Sequence, residues 1–274
     1  MKQRHGWATV VGAILIIAWA MAPVVWILSL SFKAGDDINN NRFWPTRLSL
    51  ENYETVFNTP LFTSGLRNSI GIALISTLLS VAIATVAAYA IARLDFPGKR
   101  TVLSIALAIA MFPAVSLVGP LFNIWRTVGL YDTWLGLIIP YMSFTLPLSL
   151  WTLSAFFREI PWEMEEAAQM DGATAWQAFR KVIVPLAAPG VFTAAILAFF
   201  FAWNDFVFAI SLTSTDAARP VPAALAFFTG ASQFQRPAGA ISAASIVVTI
   251  PVIVLVLLFQ KRIVAGLTNG AVKG

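Results

Sequence analysis

The stretch NSIGIALISTLLSVAIATVAAYAIA, residues 68–92, decides the fold class of this chain. It contains no Asp, Glu, Lys or Arg and is bounded by Arg67 and Arg93. A helix needs about 20 consecutive apolar residues to cross the hydrocarbon core of a bilayer. Because the run is continuous and lacks the in-out alternation of a barrel strand, it predicts a transmembrane helix.

Charge-free windows of similar length recur five more times along the chain. They predict further spans near 7–32, 101–124, 134–157, 188–212 and 240–260. The composition agrees, since 58% of the residues are hydrophobic and only 11% are charged, against about 25% charged residues in soluble domains. We therefore predict an all-α membrane protein with six transmembrane helices and a single transmembrane domain over residues 1–274.

The positive charges of the connecting segments predict the orientation. Eleven of the 18 Lys and Arg residues fall in the N-terminal segment, 93–100, 158–181 and the C-terminal tail. The positive-inside rule then predicts that both termini lie in the cytoplasm. This bias accounts for much of the net charge of +5, so nucleic acid is not an expected partner. The apolar run that begins at Trp7 is longer than a signal-peptide core, which predicts an uncleaved anchor.

The segment 158–187, on the predicted cytoplasmic side, is longer than a simple connection requires. Three glutamates between positions 163 and 166 suit the first turn of a helix, where they complement the positive end of its dipole. Gly172 can take the left-handed conformation that ends a helix, and Thr174 with Gln177 matches a capping box for a second helix. The segment therefore predicts a helix-turn-helix at the membrane surface.

A longer motif lies within this segment. It consists of Glu-Ala-Ala, three residues, Gly, nine residues and a closing Val-Ile-Val-Pro, in residues 166–172 and 182–185. This resembles the signature of permease subunits of ATP-binding-cassette (ABC) importers, with Val182 and Val184 in place of the usual Ile and Leu. The stretches LDFPGKR (94–100) and FAWNDF (201–206) resemble the sugar-importer subfamily related to the maltose permeases. The stretches 154–190 and 260–268 look most like permeases of the mycobacterial trehalose-recycling importer.

The resemblance implies a type I ABC importer permease fold in a bacterial cell (inner) membrane, and a sugar, trehalose, as the substrate. Another oligosaccharide or a polyol is the alternative. The implied partners are a second, homologous permease, two ATPase subunits and an extracytoplasmic sugar-binding lipoprotein. ATP and Mg²⁺ would be bound by the ATPase subunits. This chain is then not an enzyme and binds no cofactor, and its sequence has no Gly-x-x-x-x-Gly-Lys-Ser/Thr loop.

The candidate coupling residues lie in the motif: Glu165, Glu166, Ala167, Ala168, Asp171 and Gly172. The two small alanines allow a partner surface to approach closely, and either glutamate can pair with a partner Arg. An amphipathic helix lying on the lipid surface is the alternative. That helix would favour basic residues, whereas the charged residues of 159–171 are all acidic. We therefore expect the first helix of the segment to dock on the ATPase subunit.

The candidates for the sugar pathway are Asn204, Asp205, Tyr141, Ser143, Phe144 and Trp151. Asp205 is the one acid within a predicted span, where a carboxylate costs about 2.5–3.5 kcal/mol and should face a cavity or a partner. It could instead lie near the outer surface, solvated or capping the helix. Aromatic rings and hydroxyl groups suit a sugar, although for any one of Tyr141, Ser143, Phe144 and Trp151 packing is the better explanation.

Prolines at positions 113, 120, 140 and 147 predict kinks in the third and fourth spans. The outer segment 213–240, rich in Ala, Pro, Ser and Gly, is a candidate contact for the binding protein. His5 is the only histidine and cysteine is absent, so no metal site is expected.

Two other functional classes fit the sequence poorly. An ion-coupled secondary transporter would need acids within its spans or symmetrically broken helices, and only Asp205 is available. A membrane-embedded enzyme would need catalytic groups that converge within the spans, and the sequence offers no such set. The sequence therefore favours a transport subunit that is energised by other chains.

Overall fold

The computed structural model describes residues 6–40, 42–228 and 237–269. Within these ranges the chain is mostly helical and has no β-strand. The long helices are α1 (Trp7–Ser31), α3 (Pro60–Arg93), α4 (Lys99–Ala110), α5 (Ala114–Val128), α6 (Trp134–Glu159), α10 (Ala188–Asn204) and α13 (Ala238–Asn269). The short helices are α2 (Glu51–Phe57), α7 (Glu163–Met170), α8 (Ala175–Ala178), α9 (Val184–Leu186), α11 (Val207–Leu212) and α12 (Val221–Ala226). A 3₁₀ turn covers Gly35–Asn39 and a π-helical turn covers Phe179–Ile183.

Four of the described helices are long and apolar enough to cross a membrane without a break. They are Thr9–Ser31, Pro60–Arg93, Trp134–Glu159 and Ala238–Gln260. Two further candidates are bent pairs of helices: α4 with α5, at 88°, and the segment Ala175–Leu186 with α10, at 72°. The predicted fold of six transmembrane helices is therefore confirmed, with two of the six in bent pairs.

The chain forms two compact units, of which one comprises Met1–Thr63 and Ala224–Pro251. In this unit the fully buried Lys33 donates from its Nζ to the Arg42 carbonyl oxygen at 2.6 Å. Asn52 of α2 donates to the carbonyl oxygen of Lys33 at 2.5 Å. The segment 33–67 thus contains α2 and the beginning of α3, and Asn52 bonds it back to the end of α1.

The other unit comprises Ser64–Ala223 and Val252–Gly274. Here α6 packs against α4, α10 and α11, and α11 packs against α5. Its core includes two pairs of buried alanines, Ala84 with Ala88 on α3 and Ala194 with Ala198 on α10. Small residues four positions apart let helix backbones approach closely, which favours helix association in lipid.

The third span differs from the single helix expected at 101–124. α4 ends at Ala110, and α5 begins only after Pro113. Proline lacks a backbone N–H and disfavours a helical conformation in the residue before it, so the 88° bend falls at Pro113. The other three prolines lie within continuous helices, Pro120 in α5 and both Pro140 and Pro147 in α6.

Three other boundaries differ from the sequence-based ones. The fifth span, expected at 188–212, stops at Asn204 and restarts as α11 at Val207. α3 begins at Pro60 and α13 continues to Asn269, beyond the windows 68–92 and 240–260. Both helices extend past the apolar core because polar residues outside a membrane can continue a helix once it is nucleated.

Candidate coupling site and pathway residues

The segment 158–187, called the motif segment from here on, contains the two helices that its sequence predicts. α7 is followed by Gly172, whose φ of +87° is in the left-handed region that favours glycine. The Gln177 N–H donates to Thr174 Oγ1 at 3.3 Å, and the Thr174 N–H donates to Gln177 Oε1 at 2.8 Å. These reciprocal bonds confirm the predicted capping box at the beginning of α8.

The six candidate coupling residues divide by their exposure. Glu166, Ala167, Asp171 and Gly172 are exposed, and Ala168 is partly exposed. Beside them, the apolar side chains of Met170 and Trp176 are 88% and 60% exposed. An acidic helix flanked by exposed apolar side chains is a surface suited to a protein partner.

Glu165 differs from the other candidates because it is buried within this chain. The Tyr89 hydroxyl donates to Glu165 Oε1. Glu165 Oε2 lies 3.8 Å from Arg93 Nε, which makes an ion pair without a hydrogen bond. Of the two glutamates that could meet a partner Arg, the structure leaves Glu166 available and joins Glu165 to the end of α3.

Arg93 contacts three parts of the chain around α7. Besides its ion pair with Glu165, its Nη2 donates to the Ile160 carbonyl oxygen at 2.7 Å. Its guanidinium group lies over the Trp162 ring, 4.5 Å from the ring centre, as a cation–π contact. The last turn of α3 is thus bonded both to the loop before α7 and to the first turn of α7.

The structure brings two of the pathway candidates together at the break in the fifth span. The Tyr141 hydroxyl donates to Asp205 Oδ2 at 2.9 Å, and the Ala209 N–H donates to the same oxygen at 3.0 Å. Asp205 therefore caps α11 and joins it to α6. The Asp205 carboxylate thus has a partner within the span, as expected for an intramembrane acid, and it also caps a helix, as the alternative interpretation predicted.

The other four pathway candidates do not converge on Asp205. Phe144 is buried and stacks on Phe201, with ring centres 5.5 Å apart. Asn204 and Ser143 are exposed and bond to backbone oxygens of their own helices. Trp151 is 52% exposed. His5 lies outside the described residues, as do residues 229–236 of the candidate binding-protein contact.

A polar cluster that the sequence did not reveal lies before α6. Asp132 has a left-handed backbone, with φ of 58°. Its Oδ1 accepts from the N–H groups of Ser214 at 2.9 Å and Thr215 at 3.1 Å, and its Oδ2 accepts from Thr215 Oγ1 at 2.6 Å. Partial burial raises the pKa of Asp132, but these hydrogen bonds outweigh it and the pKa lies below its ordinary value.

The same loop after α11 is also bonded to α3. The Asn68 amide donates to the carbonyl oxygens of Asp216 at 2.9 Å and Arg219 at 3.0 Å. The Trp134 indole N–H donates to Asn68 Oδ1 at 3.1 Å, and the Val221 N–H donates to Ser69 Oγ at 2.9 Å. Sequence reasoning missed these bonds because the partners are far apart along the chain.

One local signal could have indicated Tyr89 and Arg93. The two residues are four positions apart at the end of a predicted span, so they share one face of the helix. A phenol and a guanidinium on one helix face can together bind a carboxylate. The sequence alone did not indicate which carboxylate Tyr89 and Arg93 would bind, since Asp95 and several glutamates of the motif segment were equally available.

Comparison with known proteins finds relatives along almost the whole chain. The trehalose transport system permease protein SugB of Mycobacterium tuberculosis is 60% identical over 260 residues, which are 95% of each chain. The trehalose/maltose transport system permease protein MalG of Thermococcus litoralis is 40% identical over 97% of this chain and 96% of its own. Among solved structures, a chain of a bacterial ABC transporter that imports the acidic polysaccharide alginate matches with a TM-score of 0.80. That chain is 25% identical, and the match covers 95% of this chain and 98% of the other.

A family profile matches residues 80–269, a range that includes α6, the motif segment and the break at Asp205. The fold, the motif and these relatives agree with it. The chain therefore belongs to the family described as binding-protein-dependent transport system inner membrane component.

Proposed function

We propose that the chain is a membrane-spanning subunit of an ATP-driven importer that moves trehalose into the cytoplasm. The observation that carries this proposal is the 60% identity to a trehalose transport permease over 95% of both chains. Identity at this level over nearly the full length of both chains supports a shared substrate as well as a shared fold.

A related sugar is the second candidate substrate. Among the relatives at 40% identity, one is named for trehalose and maltose, and another, from Agrobacterium fabrum, is named for sulfoquinovosyl glycerol. The named substrate thus varies at 40% identity, so the fold and the motif alone do not determine the sugar. Competition by unlabelled sugars can rank trehalose against maltose and larger oligosaccharides.

The proposed assembly contains a second permease, two ATPase subunits and an extracytoplasmic sugar-binding lipoprotein. ATP and Mg²⁺ would bind to the ATPase subunits. In the proposed orientation both termini and the motif segment face the cytoplasm, as the distribution of Lys and Arg favours. The whole chain would then act as one permease domain.

In this proposal the exposed face of α7 is the docking surface for an ATPase subunit. Glu166 would pair with a partner Arg, and Ala167 and Ala168 would allow close approach. Asp171 and Gly172 would form the edge of the contact. The exposed acid and small side chains support this assignment, and Glu165 would have a different role because it is buried.

The pathway residues would divide into two groups. Asn204, Ser143 and Trp151, which are exposed, would offer polar and aromatic contacts to a passing sugar. Tyr141, Asp205 and Phe144 would hold the break in the fifth span, as the hydrogen bond and the ring stacking support.

The test is uptake of labelled trehalose into proteoliposomes that contain the complete importer, with ATP inside. We expect uptake to need both ATP and the binding protein. Gly172→Val should assemble but transport little, because the new side chain protrudes from the docking surface. Gly98→Val is the matched control, since Gly98 has φ of +86° and open space around it, as Gly172 does at +87°.

The two variants carry the same backbone strain, so a loss at both positions would point to misfolding and contradict the docking role. Uptake that is equally fast without ATP or without ATPase subunits would overturn the proposed function itself. If maltose or a larger oligosaccharide is taken up in preference to trehalose, the assignment of the sugar is wrong and the importer class stands.

A further inference from the structure

Among the acids of the motif segment, Glu165 is the one turned into the protein. Its side chain is 8% exposed, whereas Glu163, Glu166 and Asp171 are all exposed. A buried carboxylate cannot contact a partner protein, so Glu165 cannot contribute to a docking surface. Glu165 therefore needs an explanation separate from that of the exposed acids.

Stability alone does not explain the buried pair. Removing two charges from water costs about as much as their attraction returns, and apolar residues of similar volume often stabilise a fold equally well. In some proteins a buried pair defines which two elements join and in which register. The Arg93–Glu165 pair joins the last turn of α3 to the first turn of α7.

The surrounding contacts extend this joint to both sides of α7. Arg93 bonds to the loop before α7 through the Ile160 carbonyl oxygen and the Trp162 ring. The Tyr89 ring lies 4.6 Å from the Phe179 ring, centre to centre, in the π-helical turn that follows α8. One turn of α3 thus contacts the chain before, within and after the first helix of the motif segment.

We propose that Tyr89 and Arg93 clamp Glu165 so that α7 and α3 move as one body when the ATPase subunits displace the motif segment. This inference rests on the proposed function. Without the clamp, α7 keeps its packing against α8 and the π-helical turn. It loses the bonds of Glu165 to α3, so it can move relative to α3. With the clamp in place, a displacement of α7 is transmitted to α3, a helix of 34 residues. Tyr89 and Arg93 are therefore positioning residues for energy coupling.

The first test measures sugar taken up per ATP hydrolysed by the complete importer in proteoliposomes. Tyr89→Phe keeps the ring against Phe157 and Phe179 and removes only the hydroxyl, while Glu165→Gln keeps the shape and removes the charge. We expect both variants to assemble and hydrolyse ATP while uptake per ATP falls about tenfold, within the usual range of coupling between sites. Asp95→Asn, which removes an exposed pair with Lys99, is the control and should leave the ratio unchanged.

The second test restores the clamp covalently. The native chain has no cysteine, so Tyr89→Cys with Glu165→Cys adds the only two thiols of this subunit. The double variant should lose coupling, and bridging its thiols with a short bis-methanethiosulfonate reagent should restore most of it. A merely structural contact would not show this rescue, because assembly is unchanged by the bridge.

Two results would overturn the clamp. One is an unchanged ratio of uptake to hydrolysis in Tyr89→Phe and Glu165→Gln. The other is a double-cysteine importer that is bridged, as shown by mass spectrometry, and still transports no better. Both results can be obtained only with a wild-type importer that shows ATP-dependent uptake. If the proposed function is wrong, the wild type itself shows no such uptake, so the two failures are distinguishable.

Discussion

A carboxylate lies near each end of α6 and joins neighbouring parts of the chain, and the two carboxylates do so in different surroundings. The helix is about 39 Å long, with Asp132 just before it and Glu165 shortly after it. Glu165 meets Arg93, and both side chains are almost entirely buried. Asp132 is partly exposed and accepts hydrogen bonds from two backbone amides and one hydroxyl group.

The difference in burial determines how much it costs to break each contact. No water can replace a lost partner at Glu165, so breaking that contact leaves an uncompensated buried charge. Water can replace Ser214 and Thr215 around Asp132, and solvent screens its charge. We therefore expect a rigid joint at the end of α6 that leads to the motif segment, and a loop that opens at low cost at the other end.

The largest expected effect separates two adjacent glutamates. Glu165→Ala should lower the free energy of unfolding by about 3–5 kcal/mol, because Arg93 stays buried without its partner. Glu166→Ala, at an exposed position, should change it by less than about 0.5 kcal/mol. Thermal unfolding of the purified chain in detergent measures both. Similar losses in the two variants would remove the distinction between a buried joint and an exposed docking residue.

A second variant tests the middle of α6, between the two carboxylates. Tyr141→Phe should lower the free energy of unfolding by about 1–3 kcal/mol, because Asp205 loses the hydrogen bond that the buried Tyr141 hydroxyl donates. Tyr131→Phe is the control, since Tyr131 packs its ring against Phe122 of α5 and no described residue bonds to its hydroxyl. If Tyr131→Phe is as destabilised as Tyr141→Phe, the hydrogen bond between Tyr141 and Asp205 does not stabilise the break in the fifth span.

At the other end of α6, two substitutions of Asp132 should differ. Asp132→Asn keeps an acceptor oxygen and tolerates the left-handed backbone, so we expect a loss of about 1 kcal/mol. Asp132→Ala loses every bond to Ser214 and Thr215 and adds backbone strain, for a further loss of about 1–2 kcal/mol. Denaturation of the purified variants compares them, and equal stability of the two would show that the loop is held by Asn68 and Trp134 instead.

The smallest effect is a pH dependence of the Asp132 contact. Its pKa is lower in the folded chain than in the unfolded chain, so the folded form releases its proton more readily. The contribution to stability is therefore complete above about pH 4 and disappears as the pH falls through the folded pKa. The stability gap between wild type and Asp132→Asn should be constant above about pH 4 and should narrow as the pH falls below it. A gap that stays constant below about pH 4 would contradict an ionised Asp132 contact.

Local patterns were sufficient for much of the fold and part of the site. The charge-free windows predicted the six spans, because each helix must bury its backbone bonds and apolar side chains in lipid along one continuous stretch. Gly172 and the pair Thr174 with Gln177 were predictable because a helix stop and a capping box involve residues within a few positions of each other. The ABC permease motif was readable for the same reason.

Long-range packing decided what these patterns could not. The sequence offered Glu165 and Glu166 equally, and only the approach of α3 turned one inward and left the other exposed. The bond between Tyr141 and Asp205, 64 positions apart, likewise determined how the break in the fifth span is held. Sequence periodicity records which residues avoid water, whereas the choice of partner depends on which helix faces meet, and that is a property of the packed structure alone.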